Sequence, residues 1–383
     1  MILILILLAV GTSGLLQEKR SQLLLELERQ LRANGALFPS VEALEYPMMG
    51  VGLRVRDKVE AMEIVATVPL SECVRGTALH ADDAVASCAS ALLDRYRKDP
   101  RHPWFRLLFE HTDLGTQPMT WEDDDFERRL RGLSCKAILT KRRRHLTSPL
   151  MKQAYALVAS RAYWLSEDEV ALIPFVDFAN HKNSEGAYVE RGDGVFSALT
   201  DVALIAAKPL DPGTQLFSTY LTEPSNAETF ASFGFVHDPS SDALVILTLD
   251  IDYSLSKASS FSNDDDNDAP FQEHHRRRTV ALRIRLLRQQ DESSTVLEIS
   301  DDDKSEDDLD LIAPRLPLAD FLTDLTAGGG KHPEEALSFF NSLLAEIPSD
   351  DDDDDPPEIA SMLSVLRREE RLALEAVRDL AII

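Results

Sequence analysis

The chain has 383 residues, of which 44% are hydrophobic, and its formal net charge is -26 at pH 7. This length is sufficient for two or three domains with a hydrophobic core. The negative charge disfavours nucleic acid as a partner, because phosphate contacts need clustered Lys and Arg, whereas a basic protein segment is compatible with it.

The first ten residues, MILILILLAV, form an apolar run. The run is much shorter than the roughly 20 residues that span a bilayer, and no Lys or Arg precedes it as in a signal peptide. A signal or targeting segment, a weak membrane anchor and the tail of a mispredicted start all fit this pattern. We therefore leave residues 1–16 out of the predicted fold, and membrane association stays open.

The elements that follow alternate between helical and strand-like stretches. Leu at helical spacing predicts an amphipathic helix over residues 15–33, which Asn34-Gly35 ends. Short strands are predicted over 46–80, helices over 81–163, and short strands again over 171–236. Because the two strand regions flank a helical stretch, we expect them to fold together as one domain with a helical insert.

The pattern changes again after residue 238. One strand is predicted, ALVILTLDI, followed by helices over 275–290, 333–346 and 358–380. Acidic runs separate these helices, and like-charge blocks are usually solvated loops. Such runs cannot bury enough apolar surface to offset the entropy lost on ordering. We therefore predict that three segments are flexible and dispensable for the fold: 262–268, 300–308 and 349–356.

Four short motifs place glycine or polar residues where a core segment would have none. They are the turn Gly50-Val51-Gly52-Leu53, the pair Ser160-Arg161, the segment ALIPFVDFANHKN with Asn180-His181 near its end, and TQLFSTY, which ends in Tyr220. Each alone has an ordinary structural explanation, namely a glycine turn, a solvated Arg, a strand end and an outward tyrosine. The glycine turn is not a dinucleotide-binding fingerprint, since no third glycine opens a helix.

The motif SNAE, which follows Tyr220, predicts how the next helix begins. Ser225 is a favourable N-cap residue, and Glu228 lies three residues further on, which is the spacing of a capping box. A helix is therefore predicted to start directly after Ser225.

In their order, the motifs GVGL, SR, LIPFVDFANH, STY, SNAE and FGFV resemble the SET-domain protein methyltransferases. The resemblance is strongest to the branch that includes the Rubisco large-subunit methyltransferase and the actin-histidine methyltransferase, and it covers roughly residues 20 to 240. It implies an α+β SET-domain fold of small curved β-sheets with a knot-like core, a helical insertion and a mostly α-helical C-terminal domain. The implied limits are an apolar segment at 1–16, a leading helix at 17–45, a SET domain at 46–237 with its insertion at about 81–163, and a helical substrate-binding-like domain with acidic loops at 238–383.

The resemblance also implies a function, that of a protein-lysine N-methyltransferase that uses S-adenosyl-L-methionine and acts on a protein substrate. Tyr220 corresponds to the catalytic tyrosine and also to a cofactor contact. The other implied cofactor-binding residues are Gly50, Val51, Gly52, Leu53, Arg161, Asn180 and His181. The implied substrate-binding residues are Tyr163, Asp177 and Phe233. Methyl transfer from a sulfonium to an amine requires no metal, and none is expected.

The sequence departs from the family pattern at several positions. Leu221 stands where the family usually has Gly after the tyrosine, and Phe233 stands where many members have Tyr. Tyr163 and Val176 replace an Asn and a Trp of the actin-histidine enzyme, which favours lysine over histidine as the target. Two alternatives stay open, a non-catalytic SET-fold protein-binding module, which Leu221 supports, and a protein-histidine methyltransferase.

The remaining features restrict other classes of protein and site. No GxSxG elbow and no Ser-His-Asp order is present, which disfavours a hydrolase. Cys73, Cys88 and Cys135 form no CxxC pair and no Cys-His spacing, which disfavours a disulfide framework and a zinc site. Reduced thiols favour an intracellular protein, with cytoplasm, nucleus and plastid left open. A monomer is expected.

Overall fold

The computed structural model describes residues 2–46, 49–144, 146, 148–182, 186–192, 201–219, 225–237, 243–253, 276–287, 296–301, 341–348 and 355–380. Its contacts divide the chain into two compact units. The first unit comprises Met1–Thr120 and Arg142–Glu223, and the second comprises Trp121–Lys141 and Pro224–Ile383. The second unit thus takes part of the helical insertion and the end of the expected SET domain. The domain limits implied by the resemblance stay a prediction.

Helices α1 to α8 are α1 (Ile2–Ala33), α2 (Ala81–Lys98), α3 (Pro103–His111), α4 (Asp123–Arg129), α5 (Cys135–Arg143), α6 (Pro149–Arg161), α7 (Asn226–Phe233) and α8 (Pro357–Leu380). Residues 341–346 are also helical. Local sequence sets several of the helix starts. The Ser148 hydroxyl accepts from the Met151 N–H at 3.2 Å, with Pro149 as the first residue of α6. The capping box predicted at Ser225 and Glu228 is confirmed at the start of α7.

Helix α1 is longer than predicted. The expected helix over 15–33 is confirmed, and it continues back to Ile2 through the apolar first residues. Its buried side chains are Leu23, Leu24, Leu27 and Leu31, which recur at helical spacing. Gly35 follows the end of the helix with a φ of 100°, a left-handed conformation that suits glycine. Among the described residues, no helix combines the length and the hydropathy that crossing a membrane requires.

The strands of the first unit are β1 (Val41–Tyr46), β2 (Gly50–Val55), β3 (Ile64–Pro69), β4 (Val74–Thr77), β5 (Tyr163–Trp164), β6 (Glu169–Leu172), β7 (Asn180–His181), β8 (Tyr188–Arg191), β9 (Asp201–Ile205) and β10 (Gln215–Ser218). They form three small sheets with the orders β1-β2-β10-β7, β3-β9-β8 and β4-β6-β5. Each sheet pairs strands from before the helical stretch with strands from after it. The two strand regions therefore pair with each other as expected, although residues 224–236 and 121–141 belong to the second unit.

The second unit contains α4, most of α5, α7, α8 and a sheet of β11 (Ala243–Tyr253), β12 (Arg276–Leu287) and β13 (Val296–Asp301). The strand β11 and the helix α8 were predicted. The helix predicted over 275–290 is wrong, because β12 pairs antiparallel with both β11 and β13 along this stretch. In the sequence RRRTVALRIRLL, apolar residues alternate with polar ones, which suits a strand, although Leu and Arg favour helices.

Several buried polar residues of the second unit are paired with one another. The Glu370 carboxylate accepts hydrogen bonds from the Ser134 backbone N–H at 2.8 and 2.9 Å and from the Ser134 hydroxyl at 2.6 Å. The Glu369 carboxylate accepts from Asn226 Nδ2 at 2.8 and 3.0 Å, and Asn226 Oδ1 accepts from the His237 N–H at 2.7 Å. We call Ser134, Asn226, His237, Glu369 and Glu370 the α8 network, because it fastens α8 to two other segments of the unit.

The prediction that the last acidic run is flexible is wrong at Asp355. The residue was expected in a flexible loop at 349–356, but its carboxylate accepts from Arg128 Nη2 at 2.7 Å and from Arg129 Nε at 2.8 Å. Its side chain is fully buried. The hydrogen bonds from the two arginines offset the free energy lost when the Asp355 carboxylate is buried. Asp355 is therefore held in place rather than flexible. The predicted loop at 300–308 is likewise wrong at its start, because residues 300 and 301 pair with β12 at the end of β13. Residues 349–354 and the runs at 262–268 and 302–308 lie outside the described residues.

Candidate functional site

One sheet of the first unit brings two of the four motifs together. In the centre of the sheet β10 pairs antiparallel with β2, where Leu216 lies opposite Leu53. On its other side β10 pairs parallel with β7, where Phe217 lies opposite Asn180 and Ser218 opposite His181. Gly50 to Leu53, which were predicted as a turn, thus lie in strand β2, because they pair along β1. They and the Asn180-His181 pair flank a single strand, although about 130 residues separate them in sequence.

Gly52 leaves room for side chains from both neighbouring strands. A Cβ atom at this position would lie 2.7 Å from Gln215 Nε2, 2.8 Å from Asn180 Nδ2 and 2.8 Å from a ring carbon of Tyr46. These distances are too short for a real Cβ atom, so position 52 requires glycine while the three side chains keep their places. Gly50 has a φ of 69°, which any other residue would adopt only with strain.

Several donors around this point have no acceptor. Asn180 Nδ2 and Gln215 Nε2 are buried, and neither has a hydrogen-bond partner among the described residues. Buried polar groups in native proteins are nearly always paired, and an unpaired one costs about 1–3 kcal/mol. The arrangement thus suits a ligand that carries hydrogen-bond acceptors, such as a carboxylate.

Arg161 lies beside the same motif. It ends α6, and its Nη1 donates to the backbone carbonyl of Asp177 at 3.1 Å. Its Nε is buried and has no partner within the described part of the chain. The fixed fork of a guanidinium suits a carboxylate, so Arg161 is a further group that a ligand acceptor would satisfy.

Backbone strain shapes the segment that leads to Asn180. Phe175 has a φ of 72°, which is unusual for a bulky residue, and a single 3₁₀ turn, Val176–Phe178, follows it. The Phe175 ring is buried and stacks on Phe38 with ring centres 4.0 Å apart. Strained residues persist where packing determines them, commonly at functional sites. Packing against Phe38 therefore holds the bend that directs the chain towards β7.

Asp177 lies inside the first unit. Only 2% of the residue is exposed, and its Oδ2 accepts from the Trp104 indole N–H at 3.0 Å. Burial raises its pKa to about 6, while the Arg161 charge and the Trp104 hydrogen bond act in the opposite direction. The carboxylate faces Trp104 of α3. Its predicted contact with a substrate stays a prediction.

The remaining predicted site residues are placed as follows. Tyr163 lies in β5, and its hydroxyl donates to the Val176 carbonyl at 3.4 Å. Phe233 is the last residue of α7 in the second unit, where its ring packs against Phe235 with centres 5.9 Å apart. Tyr220 and Leu221 lie outside the described residues. Just before them, the Thr219 hydroxyl donates to the Lys182 carbonyl at 3.3 Å, so the chain reaches residue 220 from beside β7.

Sequence reasoning missed Gln215 and Trp104. Gln215 begins the apolar strand QLFS, and a polar residue at that position was a weak signal for a site. Trp104 lies in an amphipathic helix of the insertion, and nothing in its local sequence indicates a partner 73 residues away. Among the described residues, no group of three or more His, Cys, Asp or Glu is arranged to hold a metal ion.

The small sheets and helical insertion of the first unit define a SET-domain fold, and solved structures agree with this assignment. A structure of Rubisco LSMT bound to sinefungin and monomethyllysine matches with a TM-score of 0.60 at 16% identity, over 94% of this chain and 91% of that chain. The SET domain of LSMT bound to lysine and AdoHcy matches with a TM-score of 0.59 at 15% identity over the same shares. The α+β SET-domain expectation is thereby confirmed at the level of the fold.

A curated sequence relative is the ribulose-1,5 bisphosphate carboxylase/oxygenase large subunit N-methyltransferase, chloroplastic, of Nicotiana tabacum. It is 33% identical over 107 residues, which are 26% of this chain and 22% of the tobacco protein. The matched stretch thus spans only about a fifth of the length of that relative. No family model matches the chain.

Proposed function

We propose that the protein is an S-adenosylmethionine-dependent protein methyltransferase whose target is a lysine side chain. The observation that carries the proposal is the set of buried donors without acceptors beside Gly52, within a SET-domain fold. The fold neighbours support it, since one is bound to AdoMet and others to AdoHcy with lysine or methyllysine. The curated relative is likewise named an N-methyltransferase.

The residues at the site fit S-adenosylmethionine. Its amino-acid end carries a carboxylate, which is an acceptor, and Arg161 has a buried Nε that lacks one. Asn180 and His181 would hold the same end of the molecule from β7. Gly50, Val51, Gly52 and Leu53 would lie along it, since a strand with two glycines permits close approach to the backbone. The donor set and the missing side chain at position 52 agree with this assignment.

Methyl transfer requires the protein mainly to position the methyl donor and the incoming lysine. When bound, S-adenosylmethionine supplies a methyl group on a sulfonium centre, where the incoming nitrogen forms an N–C bond as the C–S bond breaks. The protein must deliver the lysine as a neutral amine, align it, and exclude water. Removal from water lowers the pKa of a lysine, and the proton is lost to solvent. The Tyr220 hydroxyl would orient the amine towards the methyl group.

Lysine is preferred over histidine because of Tyr163 and Val176. The Tyr163 hydroxyl reaches the Val176 carbonyl at 3.4 Å, so a phenol ring occupies space where the actin-histidine enzyme has the smaller Asn. The substrate is proposed to be a protein that presents a basic segment to this acidic chain. A plastid location is proposed on the ground that the curated relative is named chloroplastic. A monomer is proposed for the oligomeric state.

The decisive experiment incubates the purified chain with labelled S-adenosylmethionine and a plastid lysate, and identifies labelled residues by mass spectrometry. Label on lysine of at least one protein is the expected result. Label on histidine would replace the lysine assignment with the histidine alternative. Binding of the cofactor without any transfer would favour the non-catalytic protein-binding module, with Leu221 as the first residue to change. Absence of cofactor binding would overturn the proposal.

A further inference from the structure

Residue Asp177 connects the helical insertion to the candidate site. Its Oδ2 accepts from the Trp104 indole N–H of α3 at 3.0 Å, and its backbone carbonyl accepts from Arg161 Nη1, at the end of α6, at 3.1 Å. The residue lies in the 3₁₀ turn Val176–Phe178, three positions before Asn180 of β7. A single residue thus contacts both the insertion and the arginine that is proposed to bind the ligand carboxylate.

The side chain of Asp177 is firmly anchored. Only 2% of Asp177 and 1% of Trp104 are exposed, so water cannot replace either partner of their hydrogen bond. Bonds to an ionised acceptor are stronger than bonds between neutral groups. Because the Asp177 side chain is short, a fixed Oδ2 also restrains the main chain at this residue, including its carbonyl group.

The position of that carbonyl decides how Arg161 lies. A guanidinium is a rigid planar fork, so a hydrogen bond at one nitrogen fixes the directions in which the other N–H groups point. Arg161 Nη1 is bonded to the Asp177 carbonyl, while its Nε is buried and has no partner among the described residues. A shift of residue 177 would therefore turn the free donor away from a ligand.

We propose that Asp177 is a positioning residue, anchored by Trp104, that sets the Arg161 guanidinium for the carboxylate of the bound molecule. The role needs no contact between Asp177 and a substrate, which is the contact that the resemblance implied. The effect on ligand binding rests on the proposed function. The coupling between Trp104 and Arg161 in the free chain does not.

The first test removes the anchor and compares two ligands. Trp104→Phe is expected to weaken S-adenosylhomocysteine binding about tenfold by calorimetry, the scale of one hydrogen bond of about 1.4 kcal/mol. Binding of 5′-methylthioadenosine should be unchanged, because this molecule keeps the adenosine and the sulfur but has no carboxylate for Arg161. Equal weakening of both ligands would show that Trp104 supports the whole site, and unchanged binding of both would show that it supports none of it. Either result overturns the inference.

The matched control is Trp121→Phe. Trp121 is also a buried tryptophan, with 6% exposed, but it belongs to the second unit. Its replacement is expected to lower stability and to leave the affinity for S-adenosylhomocysteine unchanged.

Two substitutions of Asp177 separate its hydrogen bond from its charge. Asp177→Asn keeps an oxygen that can accept from the Trp104 indole, so S-adenosylhomocysteine is expected to bind at least as tightly as to the wild type. Asp177→Leu removes the oxygen and should weaken binding as much as Trp104→Phe does. If Asn weakens binding as much as Leu, the charge rather than the hydrogen bond matters, and the inference is overturned.

Urea unfolding of the free protein tests the coupling without any ligand. Trp104→Phe and Arg161→Met each release Asp177 from one partner, so their combined effect on stability should be smaller than the sum of the single effects. Additive effects would contradict the positioning role. Non-additivity in a chain whose wild type binds no S-adenosylhomocysteine would refute the proposed function and leave the link between Trp104 and Arg161 standing.

Discussion

Two clusters of buried polar groups, one in each unit, differ in whether the chain itself satisfies them. In the α8 network of the second unit, each carboxylate and amide finds its partner within the chain, as Glu369 does with Asn226 at 2.8 Å. In the first unit, Arg161, Asn180 and Gln215 keep buried donors for which the described residues provide no acceptor. A buried group that is paired inside the protein stabilises the fold, and one that is left unpaired lowers stability until a ligand satisfies it. We therefore expect the α8 network to hold the structure and Arg161, Asn180 and Gln215 to serve a bound molecule.

Tyr220→Phe is the variant with the largest expected effect, because it tests whether the first unit transfers a methyl group. We expect turnover to fall by roughly 100-fold or more, the usual scale for removing one preorganised donor. Cofactor affinity should stay within a few fold, and the thermal midpoint should hardly change. Methyl transfer, calorimetry and thermal unfolding of the same preparation measure the three quantities.

Leu221→Gly serves as the companion variant, because it restores the residue commoner in the family and leaves the tyrosine in place. Activity equal to or above that of the wild type is expected. A Tyr220→Phe variant that turns over like the wild type would remove the tyrosine from the mechanism.

The same substitution made in each unit should have opposite consequences. Asn226→Ala removes one hydrogen-bonding partner of the buried Glu369 carboxylate and one of the His237 N–H, so unfolding should cost about 3 kcal/mol less. Asn180→Ala removes a donor that already lacks a partner, so stability should change little while S-adenosylhomocysteine affinity falls at least about tenfold. Urea unfolding and calorimetry distinguish the two variants. A stability loss of equal size in both would abolish the distinction between the units.

Asp355→Ala tests whether pairing in the second unit extends into the last acidic run. It removes the buried carboxylate partner of Arg129, whose side chain is only 10% exposed and which keeps the more exposed Asp125 at 3.4 Å, and the free energy of unfolding should fall by about 2 kcal/mol. Deletion of residues 350–353, which spares Asp355, should leave the thermal midpoint unchanged. A midpoint that is insensitive to Asp355→Ala would mean that the run is dispensable throughout.

Trp104→Phe examines a site residue that is paired within the chain. The change removes the indole N–H from the Asp177 carboxylate and should cost about 1–2 kcal/mol. The cost should be larger at pH 8 than at pH 5.5, because the pKa of Asp177 is about 6 and the ionised form needs the donor most. Denaturant unfolding at the two pH values measures this difference, and an equal cost at both would show that the charge of Asp177 is not involved.

The smallest expected effect concerns Glu370. Burial raises its pKa to about 7, above the ordinary 4.5 of a glutamate. The folded chain then binds the proton more tightly than the unfolded chain, so this residue lowers stability as pH rises from about 4.5 to 7. Glu370→Gln should flatten the pH dependence of the thermal midpoint by a few degrees in that window. The difference between the two profiles isolates Glu370 together with its coupling to the neighbouring Glu369, and identical profiles would contradict the prediction.

Sequence reasoning succeeded where short motifs determine structure. The capping box at Ser225 and Glu228 follows from residues three positions apart, and the pairing of the two strand regions was expected because they flank a helical stretch. It failed where the structure of a segment is determined by contacts with residues that are distant in sequence. The Leu and Arg of β12 favour a helix, but two neighbouring strands override that preference, and Asp355 is held by arginines more than 200 residues earlier in the chain.

The candidate site needs the pairing between β2 and β10, so it cannot form before β10 has been synthesised. About 160 residues lie between Arg54 and its partner Gln215, so a ribosome working at roughly 5–20 residues per second needs on the order of 10–30 s to deliver β10 after β2. During this interval β2 has only β1 as a neighbour, and its other edge stays open. The nascent chain therefore lacks the proposed cofactor site until most of its first unit has left the ribosome, and its open strand edge has to be shielded until then.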